Sequence, residues 1–577
     1  MPADPPDPGP PAPDVPNVAF GTSPRDRIPR GAAAGLGITS VALAVGTGHL
    51  AAALVAPAAS PPLAVAAAVV RLAPLPLVEF ATATFGTADK PVLLVGIGVL
   101  LVGVAALAGL AARRAAWPAV AVVVALGLLA GAAAWTAPSF AQLDLLPQIV
   151  ATAAGVWAVR WLHPRLPRAG AAPSNPPRDA VAGNGPGHAA AGGAGSAGTA
   201  VAGGADDADA GRRRDSGAVT RRGVLHGSAA LGVVGAAAVV AGGAGQLLGR
   251  GVGDSRAEVS RLLAAAPVTP APPVPPGADL TAFGAPPVIT PNADFYRIDA
   301  ALRVPALSAA DWTLRVHGMV DRELTLSFAD LLARPLVART LTLTCVSNDV
   351  GGPLVSSATF VGVSLRDLLR DAGAHAAADQ LLSTSVDGWT AGTPTAVLLE
   401  PDRGALLAVG MNGEALPREH GFPVRMVVPG LYGYVSATKW VTDLELTTFA
   451  AYDAYWVQRG WARQAPIKTQ SRIDRPRAFA QLTGGRVLLA GTAWAQHTGV
   501  ERVEVRADDG PWQPAQLATE VNLDTWRMWR AELDLGPGRH VLQCRATDRS
   551  GATQPEQRSS PVPDGATGWH SVVVTAS

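Results

Sequence analysis

The sequence predicts a multi-domain protein in which an N-terminal α-helical transmembrane bundle precedes an α+β domain and a C-terminal β-sandwich. At 577 residues the chain is too long for a single hydrophobic core. Long runs of Ala, Val and Leu are concentrated in the first half, whereas most of the Trp, Tyr and Asp residues lie in the second. The net charge of +1, with 16% charged residues, argues against a nucleic-acid-binding protein.

Four apolar runs have about the length needed to cross a bilayer: residues 32–55, 91–112, 117–136 and 145–162. The run 61–80 carries Arg71, Glu79 and two prolines, so we expect it to be an interfacial or re-entrant segment. If it does not cross, all the arginine clusters that flank the spans fall on one side, which the positive-inside rule makes the cytoplasm. These clusters are Arg25, Arg27 and Arg30, then Arg113 and Arg114, then Arg160, Arg165 and Arg168. We therefore expect a multi-pass protein of the bacterial plasma membrane with a cytoplasmic N-terminus.

Composition divides the segments around these spans. The expected order is a disordered cytoplasmic N-terminus (1–30), the four-span membrane domain (31–168), a disordered Ala/Gly-rich cytoplasmic linker (169–219), a fifth span (220–249) and a Pro-rich linker (250–284). The fifth span begins with Thr220-Arg-Arg-Gly-Val-Leu225 and resembles an internal twin-arginine export signal, with an ordinary positively flanked span as the alternative. Either reading leads the rest of the chain to the extracytoplasmic side. His49 and His163 lie near span ends and do not form a facing pair, so we predict no haem.

The second half changes to short alternating strands, beginning with residues 312–317 and 324–328. One helix is clearly delimited, with Ser364 as its N-cap and Gly373 as its stop. This mixture predicts an α+β domain over residues 285–450. After about residue 452 the pattern is β throughout, which predicts an antiparallel sandwich of immunoglobulin type over 451–577, with Cys544 in its core.

Cys345 closes the strand-like run Thr340-Leu-Thr-Leu-Thr-Cys and is followed at once by a polar, Gly-rich turn. A period of two places Leu341, Leu343 and Cys345 on one face, so the thiol leaves the sheet where the backbone bends and a ligand can approach. A thiolate at this position can bind a soft metal, while the alternative is a buried cysteine that acts as a small hydrophobe. Because the chain has only two cysteines, it has no disulfide framework.

Several motifs occur together in order. They are Pro291-Asn-Ala-Asp-Phe-Tyr-Arg-Ile-Asp299, Cys345-Val-Ser-Asn348, Met411-Asn-Gly-Glu-Ala-Leu-Pro417, His420-Gly-Phe-Pro-Val-Arg425 and Pro429-Gly-Leu-Tyr-Gly-Tyr-Val-Ser-Ala-Thr-Lys-Trp440. In this order they resemble the sulfite-oxidase family of molybdenum enzymes, from about Asn292 to the C-terminus. The resemblance implies a molybdenum–molybdopterin cofactor, with Cys345 as the metal ligand and catalytic centre. It also implies that the C-terminal sandwich is the family's dimerisation module, and it leaves open whether this chain forms a homodimer.

The resemblance also supplies a set of expected cofactor-binding residues, because a pterin that carries a phosphate needs cations and hydrogen-bonding groups on a rigid floor. The expected set is Asn292, Phe295, Tyr296, Arg297, Cys345, His420, Arg425, Gly433, Ser436 and Lys439. We add Asp387, whose alternative role is a turn-forming Asp-Gly pair.

Two departures from the sulfite-oxidising pattern bear on the substrate. Sulfite-oxidising relatives carry arginine where this chain has Val350 and Ser436. A less cationic pocket suits a neutral S-oxide or N-oxide, small or protein-bound, better than sulfite. The expected function is therefore oxygen-atom transfer by a membrane-anchored, extracytoplasmic oxidoreductase that works with an electron-transfer partner. The alternative is a cofactor-free domain of the same fold that is displayed on the membrane as a binding module.

Overall fold

The computed structural model describes residues 27–55, 59–85, 88–137, 140–168, 253–483 and 485–577. The expected N-terminal tail before residue 27, the Ala/Gly-rich linker (169–219) and the twin-arginine-like segment (220–249) lie outside the described residues.

Within the described ranges, four helical segments are long and apolar enough to cross a membrane: Arg30–Val55, Asp89–Ala111, Trp117–Trp135 and Gln142–Arg165. They coincide with the four predicted runs. The first two helices approach closely at Gly37 and Gly109, where an added Cβ would clash with the backbone of the facing helix. Such small residues let the main chains of membrane helices come together. Near the arginine clusters, Ile28 and Arg113 exchange hydrogen bonds of 3.0 and 2.8 Å, and a ring nitrogen of His163 donates to the Ala112 carbonyl at 2.9 Å.

Residues between the first two spans form two short helices, Pro61–Leu72 and Leu75–Phe85. Pro74 separates them, as expected of a residue that cannot continue the preceding helix. Each helix is too short to cross a bilayer, and Leu72 and Phe80 are exposed. The interfacial position of this segment stays a prediction.

The expected Pro-rich linker over 250–284 is wrong for its described part, because residues 253–284 fold onto the following domain. The helix Gly253–Ala265 buries Val259 in that domain's core. Arg256 donates to the carbonyl oxygens of Ala415 and Leu416, at 3.0 Å each. After it, the strand Val268–Thr269 joins a sheet. The composition of the segment gives no indication of these contacts, because the partner residues are more than 150 positions away in the sequence.

The central α+β region contains eleven strands and four further α-helices. The strands are β1 (Val268–Thr269), β2 (Thr313–Gly318), β3 (Leu324–Ser327), β4 (Leu336–Thr344), β5 (Val355–Ser364), β6 (Gln380–Ser385), β7 (Thr390–Pro394), β8 (Leu406–Met411), β9 (Glu414–Ala415), β10 (Arg425–Val427) and β11 (Val441–Thr447). The helices are Phe328–Leu332, Leu365–Ala372, Thr395–Leu399 and Gly433–Ser436. The helix Leu365–Ala372 has the Ser364 cap and the left-handed Gly373 that its sequence predicts.

Two mixed sheets build this region. One has the order β1-β4-β5-β8-β10, with β9 paired to β8, and the other has the order β3-β2-β11-β6-β7. A single hydrophobic core joins them and includes Leu341, Leu343, Phe360 and Leu444. Strand β4 is buried on both faces, because its threonines face the C-terminal region: the Thr342 hydroxyl accepts a hydrogen bond from the Trp526 backbone at 2.8 Å.

The C-terminal region is all β in its regular structure. Its strands are β12 (Gln470–Arg475), β13 (Gln481–Leu482), β14 (Gly485–Trp494), β15 (Val500–Ala507), β16 (Gln513–Pro514), β17 (Gln516–Leu517), β18 (Arg527–Leu535), β19 (Gly538–Asp548) and β20 (His570–Ala576). They form two sheets, β12-β14-β18-β17 and β13-β20-β19-β15-β16, around a common core that contains Cys544. The immunoglobulin-type topology stays a prediction.

Candidate functional site

A cleft opens where strand ends from the two central sheets meet. Cys345 directly follows β4, and Arg425 begins β10 in the same sheet. In the other sheet, Asp387 lies in the β6–β7 turn and Lys439 precedes β11. All four side chains line the cleft. The fold therefore brings together four residues that are up to 94 positions apart, from 345 to 439.

The loop after β4 fixes the position of Cys345. The backbone N–H of Cys345 donates to the Leu354 carbonyl at 3.0 Å, and the Asn348 side chain accepts from the Leu354 N–H at 2.8 Å. These two bonds close the loop at its base. Cys345 is only 8% exposed, and burial raises the pKa of its thiol. The thiol is therefore protonated at neutral pH until a metal replaces the proton. Its role as a metal ligand stays a prediction.

Arg425 is a buried cation whose charge is not balanced by an ion pair. It is 4% exposed and donates to the carbonyl oxygens of His420 at 3.2 Å and Ala437 at 3.5 Å. Its Nε has no partner, and within the part of the chain that the structure describes no carboxylate lies within ion-pair distance. Burial lowers the pKa of Arg425 to about 10, so the guanidinium remains charged at neutral pH. Because buried charges in proteins are normally paired, this site fits an anionic or strongly polar ligand.

Lys439, the other cation of the cleft, forms an ion pair with Asp299. Their side chains are 10% and 6% exposed, with Nζ 3.3 Å from Oδ2. Burial lowers the pKa of Lys439 to about 8, although Asp299 partly opposes this effect. Burial alone would raise the pKa of Asp299, but Lys439 and then Lys90 outweigh it and hold that pKa below its usual range. Asp299 is consequently ionised throughout the physiological pH range.

His420 lies behind the cleft and does not line it. Its Nε2–H donates to the Asn292 carbonyl at 3.2 Å, and its ring meets that of Phe295 edge-on at 5.4 Å. The Nδ1 atom is buried and has no partner among the described residues. Burial, followed by the nearby Arg425 charge, lowers the pKa of His420 to about 4. The neutral ring therefore keeps a free acceptor at Nδ1, outside the lining of the cleft.

The expected cofactor residues divide into two sets. The structure places seven at the cleft: Phe295, Tyr296, Cys345, Asp387, Arg425, Gly433 and Lys439. The other four, Asn292, Arg297, His420 and Ser436, do not line it. The Asn292 amide is held by Glu414 and Asn412, the Arg297 side chain pairs with Asp299, and the Ser436 hydroxyl donates to the Leu431 and Tyr432 carbonyls. Asp387 accepts from the Trp389 N–H at 3.2 Å within its turn, so it combines the turn role with the cleft position.

Sequence reasoning missed an aromatic wall of the cleft. Trp456 and Trp461 line it, with ring centroids 6.2 Å apart, and Tyr434 lies 5.7 Å from Trp461. The Trp461 indole N–H is buried and has no partner among the described residues. Tyr434 lies inside a motif that was singled out, whereas both tryptophans follow it in a segment with no periodic pattern. Their signal was only the concentration of aromatic residues near position 456.

Comparison with known proteins matches residues 301–456 to the family described as Oxidoreductase molybdopterin binding domain. The mitochondrial sulfite oxidase of Homo sapiens is 31% identical over 316 residues, covering 46% of this chain and 57% of that protein. The sulfite oxidase of Gallus gallus is 30% identical over 318 residues, covering 46% of this chain and 68% of that protein. The uncharacterized oxidoreductase YuiH of Bacillus subtilis is 33% identical over 150 residues, covering 26% of this chain and 72% of that protein.

The chain belongs to the sulfite-oxidase family. Its residues 301–456 are the molybdopterin-binding oxidoreductase domain of that family. The match spans little more than half the length of the mammalian relatives, at 57%. Among solved structures, the sulfane dehydrogenase SoxCD of Paracoccus pantotrophus aligns at 24% identity with a TM-score of 0.42, over 49% of this chain and 79% of that one.

Two observations fit the cleft to a molybdenum–pterin cofactor. The buried Arg425 guanidinium has an Nε without a partner among the described residues, and a cysteine lies in the same cleft. A pterin phosphate would pair with the guanidinium, and a thiophilic metal would bind the thiolate.

Proposed function

We propose that this protein is a membrane-anchored, extracytoplasmic molybdenum-cofactor enzyme that catalyses oxygen-atom transfer on neutral S-oxides or N-oxides in preference to sulfite. The balance of charge in the cleft carries this proposal. Two cations, Arg425 and Lys439, line it together with the ionised Asp299 and with Asp387, whose pKa burial raises. The electrostatic attraction for a dianion such as sulfite is therefore reduced, while a neutral substrate is not penalised.

Different residues of the cleft would bind different parts of the cofactor. Cys345 would hold the metal through its thiolate, while Arg425 and Lys439 would hold the pterin part. When bound, the molybdenum–pterin group supplies a two-electron redox centre for the transfer of an oxygen atom. The aromatic wall of Tyr434 and Trp461 would exclude water and present polarisable surface to a sulfur-containing substrate. Reduction of an S-oxide also consumes two electrons, which an electron-transfer partner must supply.

Membrane orientation follows from the arginines. Arg113 lies two residues after the end of the helix Asp89–Ala111, whereas Lys90 stands at its start and bonds to Asp299 of the central region. The positive-inside rule assigns the Arg113 end to the cytoplasm, which supports an extracytoplasmic position for Lys90 and its partner. A membrane-impermeant maleimide should label Ser577→Cys in intact cells and Arg114→Cys only after lysis, since both native cysteines are buried. The reverse labelling pattern would contradict this orientation.

The C-terminal two-sheet region would be the family's immunoglobulin-type dimerisation module. Its common core and its buried Cys544 support a sandwich. The full chain in detergent or nanodiscs, measured by mass photometry, tests whether it pairs. Export through the twin-arginine route is tested by Arg221→Lys with Arg222→Lys, which should leave the catalytic domain folded on the cytoplasmic side of the membrane.

The substrate proposal is tested on the full chain purified from a cofactor-competent host. Molybdenum and pterin per chain are measured first, because near-stoichiometric loading is required for any comparison. Turnover is then compared for sulfite, dimethyl sulfoxide, trimethylamine N-oxide and methionine sulfoxide. We expect the neutral oxides to be turned over and sulfite to be a poor substrate. Turnover of sulfite alone would overturn the argument from cleft charge.

Val350 provides a matched test of the same argument. Val350→Arg restores the cation that sulfite-oxidising relatives carry, whereas Val350→Met adds length without charge. One added cation in the loop that follows Cys345 should improve kcat/KM for sulfite by about fivefold or more, which corresponds to about 1 kcal/mol. The methionine variant should leave sulfite turnover unchanged. Equal effects of the two variants would show that the side-chain length, and not its charge, matters at this position.

A further inference from the structure

Lys90 is an unusual residue in this chain, which has only three lysines among its 46 lysines and arginines. It stands in the first turn of the second span, Asp89–Ala111. Its Nζ donates to the Asp299 side chain at 2.9 Å and to the Asp299 backbone carbonyl at 2.7 Å. The two residues are 209 positions apart, and Asp299 lines the cleft, so a membrane helix contributes a cation that binds a residue of the cleft wall.

Asp299 is shared between this membrane lysine and the cleft lysine. One carboxylate oxygen faces Lys90, and the other lies 3.3 Å from Lys439 and 3.1 Å from Arg297. Asp299 is almost completely buried, while the Arg297 side chain is 43% exposed and therefore well screened by water. The Lys90 side chain is 20% exposed, so it competes with Lys439 for the Asp299 carboxylate more strongly than Arg297 does.

A second contact joins the membrane-proximal segment to a residue beside the aromatic wall. The Arg459 guanidinium donates to the backbone carbonyl of Arg71, at the end of the helix Pro61–Leu72, at 2.6 Å. The same guanidinium stacks on the Tyr455 ring at 3.7 Å, next to Trp456 of the aromatic wall. Arg71 therefore contacts a residue next to the aromatic wall, and Lys90 contacts the cleft-lining Asp299.

We propose that Lys90 is a positioning residue of the cofactor site, so that the membrane half of the chain completes a site which the central domain does not complete alone. Lys90 neutralises part of Asp299 and holds it against the wall of the cleft. Lys439 consequently keeps more of its charge for the anionic part of the cofactor. Without Lys90, the Asp299 carboxylate turns fully to Lys439, and the cofactor competes with it for that cation.

The experiment compares Lys90→Gln, Lys90→Arg and a matched control in the full chain, purified in nanodiscs from a cofactor-competent host. Lys468 is the control, because it also binds one carboxylate and one backbone carbonyl, Asp564 and Gly565, at 2.8 Å each. Readouts are molybdenum and pterin per folded chain, and the rate at which pterin fluorescence appears after dilution. Lys90→Gln should release cofactor about five- to tenfold faster. Lys90→Arg should restore retention, and Lys468→Gln should match the unaltered chain.

A double-mutant cycle distinguishes action through Asp299 from a general loss of structure. In the Asp299→Asn background, Lys90→Gln should have no further effect on release, because the shared carboxylate charge is already absent. Additive effects, or unchanged release in Lys90→Gln alone, would overturn the proposal. If Lys90→Gln does not yield folded protein, Lys90→Met in the Asp299→Asn background supplies the test, because neither residue is then charged. Faster release from that protein than from Asp299→Asn would also overturn the proposal.

The inference rests on the proposed cofactor site, and the two fail differently. Absence of molybdenum from the unaltered chain would remove the cofactor site itself. Normal loading of the unaltered chain with normal retention in Lys90→Gln would remove only the role of Lys90.

Discussion

Cofactor binding and stability should depend on pH in opposite directions because of Lys439. Its pKa is lowered by burial from 10.5 to about 8. In the cofactor-free protein, Lys439 is about 90% charged at pH 7 and only about 10% charged at pH 9. A bound anion favours the charged form, so the titration of Lys439 should by itself lower the affinity for cofactor about tenfold for each pH unit above 8. Comparison with Lys439→Arg isolates this contribution, because the release of the Cys345 proton on metal binding is common to both proteins. This slope corresponds to about 1.4 kcal/mol per pH unit.

The stability of the cofactor-free chain should move the other way. The pKa of Lys439 is about 8 in the folded chain and 10.5 in the unfolded chain, so the unfolded chain binds more protons between these two pH values. The free energy of unfolding should therefore rise as the pH rises from 8 to 10.5. The difference between the two pKa values corresponds to about 3 kcal/mol over the full window. The side chain is only 10% exposed, so solvent screening reduces this little.

The assay measures molybdenum retained after dialysis at pH 7 to 10, alongside urea unfolding of the cofactor-free chain over the same range. Lys439→Arg is the comparison, because arginine stays charged throughout this range. It should remove both pH dependences while keeping the cation. If the unaltered chain and Lys439→Arg lose cofactor with the same pH profile, the titrating group is a different residue and the reasoning is refuted.

Three further predictions concern particular side chains. Cys345→Ser should lose the molybdenum that the unaltered chain binds, as measured by mass spectrometry, whereas Cys544→Ser should keep it per folded chain; metal retained by Cys345→Ser would exclude the thiolate ligand. Leu369→Ala should lower the free energy of unfolding by about 2 to 5 kcal/mol in urea, since this leucine of the helix Leu365–Ala372 is fully buried. A loss below 1 kcal/mol would mean that the helix contributes little to the core. Gly37→Leu should separate the first two spans and lower the thermal stability of the membrane domain in detergent, while Gly31→Leu, where an added Cβ meets open space, should not. Equal thermal shifts would refute the close packing at Gly37.

The sequence predicted the parts of the fold that depend on local pattern. The four spans follow from apolar length, and the helix Leu365–Ala372 follows from its cap, its leucine spacing and its stop glycine. The segment 253–284 was missed for the opposite reason. Its attachment depends on Arg256, Val259 and the carbonyl oxygens of residues more than 150 positions away, and a proline-rich composition gives no sign of such partners.

Residues of the cleft could be predicted where they lie in a sequence motif and where their side chain has a chemical group that a cofactor needs. Cys345, Arg425 and Lys439 were singled out as a thiol and two cations, and the structure brings them to one cleft. Asp299 lies in a quoted motif, but its role depends on Lys90, whose position in a membrane helix gave no reason to connect it with a cofactor. The alternation of polar and apolar residues also did not predict that both faces of β4 are buried. The threonines opposite Leu341 and Leu343 are buried against the C-terminal region, which a pattern of one strand cannot show.

The recessed position of Cys345 has a consequence for the newly made chain before any metal arrives. Burial raises the pKa of this thiol, so it carries its proton and reacts slowly with peroxides and electrophiles, which attack the thiolate. The chain can therefore wait for its cofactor without irreversible oxidation to the sulfinic acid. Metal insertion then has to release that proton, which makes loading faster in alkaline than in acidic surroundings.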